Sequence, residues 1–378
     1  MSSDTELPEP DRIDGAPHPR ETTALFGQDR AEADFLDAYA SGRLHSGWML
    51  TGPRGVGKAT MAYRIARFLL TETPQDHEGG LFGGAPASPV SLSVTPDHPD
   101  ARLVLSGAHP RLFILRRGPN STGTGLSDVI TVDPVRRLKE FFHMSAADGG
   151  RRVVILDAAD ELNKSAANAI LKELEEPPAR TTLLLVTHQP SRLLPTIRSR
   201  CRELRFAPLG PDDMALALAQ AGIDVPETDA LAALSGGSVG DEIRLVQLDG
   251  LRLYAELIEI LGGLPRFDRP RAIKLADSCT GKSAATRFDL VIDLMDQFLA
   301  RTARAGLVGA PDRQGAPGEA RLLARLSPGP GAARAWADLA QEVSDRVRHG
   351  RAVNLDPASL ILDTVSKIED TARNVAAA

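Results

Sequence analysis

Gly52-Pro53-Arg54-Gly55-Val56-Gly57-Lys58-Ala59-Thr60 decides how this chain folds. An apolar run, Trp48-Met49-Leu50, precedes it, and an amphipathic segment, Met61 to Leu70, follows. Strand, glycine-rich loop and helix in that order are the setting of a phosphate-binding loop. Gly52, Gly55 and Gly57 let backbone N–H groups turn toward a phosphate. The helix behind them adds its positive N-terminal end, and Lys58 is placed to reach the β- and γ-phosphates. The usual pattern then sets Ser or Thr directly after the lysine, as a Mg²⁺ ligand. Here that residue is Ala59, which has no oxygen to offer. Thr60 stands one residue late. One step along a helix turns a side chain by about 100°, so Thr60 is not expected to recover the metal contact. The loop reads as a nucleotide site that has lost a part, and the bland competing reading is a glycine-rich turn with no ligand.

The rest of the chain bounds what this loop can belong to. With 378 residues it has room for two or three domains. Apolar residues make up 42%, enough for real cores, while aromatics reach only 4%, which with abundant Ala and Leu suits helices. A net charge of −6 argues against a strong free-standing nucleic-acid binder and leaves a local basic patch open. The two cysteines, Cys201 and Cys279, cannot build a disulfide framework or a four-cysteine zinc site. His45, His109 and His188 lack ligand spacing, so no metal is expected. There is no 18-residue apolar run and hence no expected membrane span. The polar, Pro-rich N-terminus has no apolar signal-peptide core. The expected compartment is the cytoplasm.

Strands and helices alternate up to about residue 207. Residues 1–22 read as a disordered tail. Ala31 to Ala40 has helical spacing, and 71–110, rich in Gly, Pro, Asp and Ser, reads as an irregular excursion. Leu112 to Leu115 reads as a short strand, and Val135 to Phe142 as a helix. Val153-Val154-Ile155-Leu156 is a strand buried on both faces of a parallel sheet. Asp157 then falls at its carboxyl end, where open α/β sheets place their ligands. That fits an Asp holding Mg²⁺ through water. Ala158 follows, where an active ATPase commonly carries an acid that orients the attacking water. Ala166 to Glu176 reads as a helix ended by Pro177-Pro178, Thr182 to Thr187 as a second buried strand, and Arg202 to Phe206 as the last. The fold class is therefore α/β, a parallel sheet flanked by helices. From Pro208 the β signal fades, and helical segments continue to the end. The divisions read as a P-loop nucleotide-binding-like domain over 23–207, a helical lid over 208–246 and an all-α domain over 247–378.

These residues together resemble the clamp-loader branch of the AAA+ superfamily. The match runs from Leu25-Phe26-Gly27-Gln28 and Gly42-Arg43-Leu44-His45 through the glycine loop and Val153 to Asp160. It continues through Ala166-Ala167-Asn168-Ala169-Ile170-Leu171-Lys172-Glu173-Leu174-Glu175-Glu176-Pro177-Pro178 and Arg198-Ser199-Arg200-Cys201. The last two segments are far more specific than the glycine loop. The resemblance implies a C-terminal collar through which subunits form a ring, similar here in pattern only.

Two kinds of subunit share these motifs in that family. Motor subunits bind and hydrolyse ATP. A stator subunit instead sends the arginine of Ser-Arg-Cys, here Arg200, into its neighbour's ATP site. Ala59, Ala158 and Gly240, the last where motor subunits carry a γ-phosphate-sensing arginine, all point to the stator. The resemblance implies partners: clamp-loader ATPase subunits of the gamma/tau type, a delta subunit, and, through the complex, the sliding clamp and primer–template DNA. No cofactor is required, and weak ATP or ADP binding at Gly52, Gly55, Gly57, Lys58, Thr60 and Asp157 stays open. No independent ATPase activity is expected. Many relatives in that family carry a cysteine zinc module after the first long helix; 71–110 has no cysteine, so zinc is not carried over. Two other functions compete. One is an active motor-type ATPase in which Thr60 or Asp160 substitutes for the missing groups. The other is an unrelated P-loop phosphotransferase, against which the Ser-Arg-Cys and Leu-Glu-Glu-Pro-Pro segments argue.

Overall fold

The apolar run before the glycine loop is an inner strand of a five-stranded parallel sheet. This arrangement comes from a computed structural model that describes residues 9–72, 89–120, 123, 125–143, 150–225, 228–281, 284–353 and 355–377. The strands are β1 (Gly47–Thr51), β2 (Leu112–Arg116), β3 (Arg152–Asp157), β4 (Thr181–Thr187) and β5 (Arg202–Arg205). They lie in the order β2-β3-β4-β1-β5, with every neighbouring pair parallel. The connecting helices are α1 (Asp29–Ala40), α2 (Lys58–Thr71), α3 (Pro99–Leu105), α4 (Val132–His143), α5 (Lys164–Glu175), α6 (Pro195–Arg198) and α7 (Pro211–Gln220).

Successive strand residues point to opposite faces, and the two faces have separate cores. Val153, Ile155, Leu184, Val186, Trp48 and Leu50 pack with Phe35 of α1 and Met61, Ile65 and Leu69 of α2. Val154, Leu156, Leu183, Leu185 and Met49 pack with Leu138 of α4 and Ile170 of α5. Helices thus cover both faces, which is why the inner strands read as unbroken apolar runs. This is the α/β architecture, a parallel sheet flanked by helices, that the alternation of strands and helices leads one to expect.

The chain divides into two compact units. The first comprises Met1–Asp224 and Gly237–Gly240, the second Val225–Gly236 and Asp241–Ala378. Residues 208–246, expected as one lid, are shared between them. Helix α7 goes with the first unit and α8 (Asp229–Ser235) with the second, while α9 (Val239–Gln247) begins in the first and runs into the second. The second unit continues with α10 (Gly250–Leu261), α11 (Arg269–Asp277), α12 (Ala285–Val308), α13 (Glu319–Leu326), α14 (Pro330–Ala352) and α15 (Pro357–Ala377). Its core gathers Tyr254, Met295, Phe298, Trp336 and Ile361. Glu319 is fully buried within this unit, held by Tyr254 Oη at 2.7 Å, Arg301 Nε at 2.6 Å and the Gly315 N–H at 2.6 Å.

Two expectations need correction. Residues 9–22 of the expected tail are packed on the first unit, and Asp11 and His18 are buried there. Arg67 donates to the carbonyls of Arg20 (2.9 Å) and Thr22 (2.8 Å). Polar composition misleads here because these charges pair with the fold rather than with water. Within the expected irregular stretch, α3 forms on a His98 cap that accepts from Asp100 N, with Pro99 as first residue, and buries Ala101 and Val104. Residues 1–8 and 73–88 lie outside the described residues. Among the described residues, no helix is long and apolar enough to cross a membrane.

Candidate nucleotide-type site and the Ser-Arg-Cys turn

The strand register brings the expected nucleotide residues to one edge of the sheet. Thr51, the last residue of β1, pairs with Thr187, and Asp157 pairs with Val186 on one side and Arg116 on the other. The glycine loop therefore opens beside Asp157 and Thr187 at the carboxyl ends of the strands, next to the position where the strand order reverses.

The loop's shape needs its glycines. Gly55 has φ +70°, and a Cβ there would lie 2.3 Å from Ser238 Oγ and 2.8 Å from the Gly240 nitrogen. At Gly52 a Cβ would come within 2.5 Å of the Phe206 carbonyl. Gln28 ties the loop down, donating to the carbonyls of Val56 (3.2 Å) and Ala207 (2.8 Å). Gly57, with φ 95°, precedes α2, which opens on Lys58.

Lys58 is 3% exposed, and its Nζ turns inward. It donates to the Gly52 carbonyl at 2.8 Å and to the Pro53 carbonyl. Ala59 and Thr60 follow in the first turn of α2, both half-buried. The Gly240 N–H donates to the Gly55 carbonyl at 3.3 Å, which docks the 237–240 turn on the loop.

Around Asp157 the acidic residues already have other roles. Burial, then the Asp11 and Glu161 carboxylates, push Asp157 up to about 7 against the pull of Lys58 and Arg54. Ala158 is buried at 3% exposure and offers only a methyl group. The Asp160 carboxylate accepts the backbone N–H of His188 at 3.0 Å, and Glu161 pairs with Arg117 at 3.0 Å. Neither is arranged as a water-orienting acid. Burial, with Lys58 and Arg54 nearby, lowers His188 to about 3, so its ring is neutral. The Thr187 hydroxyl is buried without a hydrogen-bond partner among the described residues. As arranged here, these groups do not fit a Mg²⁺–nucleotide complex: the metal's hydroxyl ligand is missing, the lysine is turned onto its own loop, and Asp157 is held toward its protonated form.

Arg200 is elsewhere. It ends the turn after α6 and leads into β5. A Cβ on Gly47, the first residue of β1, would lie 3.1 Å from the Arg200 carbonyl and 3.2 Å from Cys201 Sγ. The Ser-Arg-Cys turn therefore sits at the amino end of β1 and the glycine loop at its carboxyl end. A five-residue strand puts about 13 Å between them. Cys201 is packed there as a small, half-buried residue against the core of that face, its thiol pushed up to about 12 by burial.

A family profile described as DNA polymerase III, delta subunit, matches residues 27–210. Over 275 residues the chain is 36% identical to the DNA polymerase III subunit delta' of Pseudomonas aeruginosa, covering 71% of this chain and 74% of that one. The chain belongs to the DNA polymerase III subunit delta' family. It is 34% identical to the Escherichia coli subunit delta' over 229 residues, covering 59% of this chain and 61% of that one. Likeness to the gamma/tau subunit of Mycobacterium tuberculosis is weaker, 28% over 203 residues, covering 53% of this chain and 31% of that one.

For this member of the delta' family, the structure brings Gly52, Gly55, Gly57, Lys58 and Asp157 together, with Thr60 just behind them on α2, and sets Arg200 apart. It also adds residues that sequence reasoning missed. Asp11, Ile13, His18 and Arg116 converge near the glycine loop and Asp157. Their only sequence signal is a run of charges in a Pro-rich segment, and such runs are usually solvated.

Proposed function

We propose that this chain is the stator subunit of the bacterial DNA polymerase III clamp loader. It does not hydrolyse ATP itself. It presents Arg200 to the ATP site of a neighbouring gamma/tau-type ATPase subunit and helps load the sliding clamp at primer–template junctions. Family membership supports the assembly, and with it the delta subunit as a further partner. The observation that carries the stator role is the placement of Arg200 and Lys58 at opposite ends of β1. An arginine side chain cannot span that strand to serve its own loop, while its guanidinium, 37% exposed, is available to another chain. The absence of a hydroxyl at Ala59 and of an acid at Ala158 supports the same reading. A nucleotide at this chain's own loop plays no part in the proposal.

ATP hydrolysis by the purified chain is the direct test. No turnover above background is expected, since each missing charge-stabilising group typically costs about 10²-fold or more. A rate near about one per second, in the range of slow working enzymes, abolished by Lys58→Ala, would establish a motor-type ATPase instead.

A further inference from the structure

Residues 9–22 run along α2 to the glycine loop, and their contacts are specific. The Arg116 guanidinium, at the carboxyl end of β2, pairs with Asp11 and with Glu9 (3.1 Å). Arg20 closes the same cluster through Glu9 at 2.8 Å. Asp11 also lies 3.2 Å from the buried His18 Nε2 and accepts from Tyr63 Oη of α2 at 3.3 Å. His18 stacks edge-on against Tyr63 with ring centroids 5.6 Å apart. Beyond the cluster, Arg64 and Arg67 of α2 donate to the carbonyls of Thr23, Arg20 and Thr22.

Two of these residues reach the nucleotide-type site. Ile13 Cδ1 lies 2.7 Å from where a Cβ on Gly240 would be, and Gly240 is itself seated on Gly55. A side chain at position 240 and Ile13 could not share that space. Asp11 is the second. Arg116, which pins it, is the register partner of Asp157. Although burial opposes it, His18 and Arg116 hold Asp11 down to about 2, so it is a fixed anion. Asp11 is also the charged neighbour that most raises Asp157.

We propose that residues 9–20 are an internal strap that closes the phosphate-binding loop to nucleotide, with Ile13 filling the space beside Gly240 and Asp11 setting a buried carboxylate beside Asp157. An anionic phosphate chain is repelled by Asp11 and finds Lys58 already engaged with its own loop. This goes beyond the stator reading, which rests on the placement of Arg200 and on the missing hydrolytic groups and does not require a closed loop. It also stands on different residues. The strap is held by ion pairs, hydrogen bonds from α2 and the Ile13 and His18 contacts, and none of its residues belongs to either core of the sheet, so it can be released without dismantling the sheet.

The test uses the full chain and a fluorescent N-methylanthraniloyl ATP with Mg²⁺. Wild type should show no saturable binding up to about 1 mM, the weak end of measurable affinity. The double variant Asp11→Ala/Ile13→Ser should bind at least about tenfold more tightly, because apparent affinity scales with the fraction of open molecules. Micromolar binding by wild type, or a folded double variant that binds no better than wild type, overturns the strap. Should the double variant not fold, hydrogen exchange on wild type decides. Amides such as those of Ala16 and Glu21, bonded to Ile13 and His18 carbonyls, should be protected, and coil-like exchange across 13–21 overturns the proposal. ATP turnover by the released variant separates this proposal from the stator reading. Binding without turnover supports both, and binding with turnover supports the strap while ending the stator reading. A folded variant with neither ends the strap alone.

Discussion

Arg200 Nη2 lies 2.8 Å from Glu175 Oε1, joining the Ser-Arg-Cys turn to the last residue of α5 in the Leu-Glu-Glu-Pro-Pro segment. Its Nη1 donates to the Thr196 carbonyl at 3.0 Å. The two side chains are 37% and 41% exposed. An ion pair that wet contributes at most about 1 kcal/mol. It can therefore orient the guanidinium outward without being needed for folding.

Arg200→Ala should accordingly move Tm by no more than about 2–4 °C. In a complex reconstituted with the ATPase subunits, one site should lose transition-state stabilisation on the order of 10³–10⁵ in rate. With the other sites intact, total DNA-stimulated hydrolysis should fall partially and clamp loading more steeply. Arg200→Lys should be almost as harmful, because a lysine lacks the planar two-pronged donor. Arg192→Ala, at an exposed position on the preceding turn, should do little. Loss of folding, or wild-type hydrolysis and loading with Arg200→Ala, contradicts the trans role.

Glu319 in the second unit is a different kind of ion pair. It is 0% exposed, and its carboxylate is shared by Arg301, Tyr254 and the Gly315 N–H. Glu319→Ala leaves the buried Tyr254 hydroxyl without its acceptor and the half-buried Arg301 guanidinium with only the Ala233 and Arg313 carbonyls. Breaking a buried pair in this way costs about 3–5 kcal/mol. Urea denaturation of a Trp48→Phe background, in which the remaining tryptophan, Trp336, reports on this unit's core, should show that loss. Glu319→Gln, keeping an acceptor for Tyr254, should cost less. Equal stability of wild type and Glu319→Ala would show the cluster to be dispensable.

The sheet and the loop were legible because each has a local signature. Val153 to Leu156 are apolar without interruption since they face two cores. The glycines mark backbone that a side chain would block. The missing hydroxyl and acid at Ala59 and Ala158 could be read from two letters. What stayed hidden depends on pairing across the chain. Asp11 meets Arg116 over 105 residues and Glu9 meets it over 107, and nothing local in a Pro-rich, charged segment announces either contact. Helix α3 was hidden by a neighbourhood rich in Pro, Gly and Asp. The inward turn of Lys58 is a choice of rotamer, set by two carbonyls of its own loop. The opposition of Arg200 and Lys58 across β1 needed the register of β1 and β5, which the order of motifs along the chain does not supply.

A pH dependence follows from Asp296 of α12. Its Oδ1 is buried without a hydrogen-bond partner among the described residues. Burial, then the Asp293 carboxylate on the same helix, push it up to about 6, against the pull of Arg351 and Arg348 on α14. In the unfolded chain it ionises near the ordinary carboxylate value of 3.8. Between those values the folded chain keeps a proton that the unfolded chain has lost. Its stabilising contribution is therefore complete below about pH 4 and is lost as pH rises through about 6. Asp296→Asn removes this dependence. At pH 4 the variant and wild type should unfold alike, and at pH 7.5 the variant should be more stable by about 2–3 kcal/mol at most. Urea titrations at both pH values measure the difference, and a variant that loses stability between them as steeply as wild type does would show that Asp296 is already ionised in the fold.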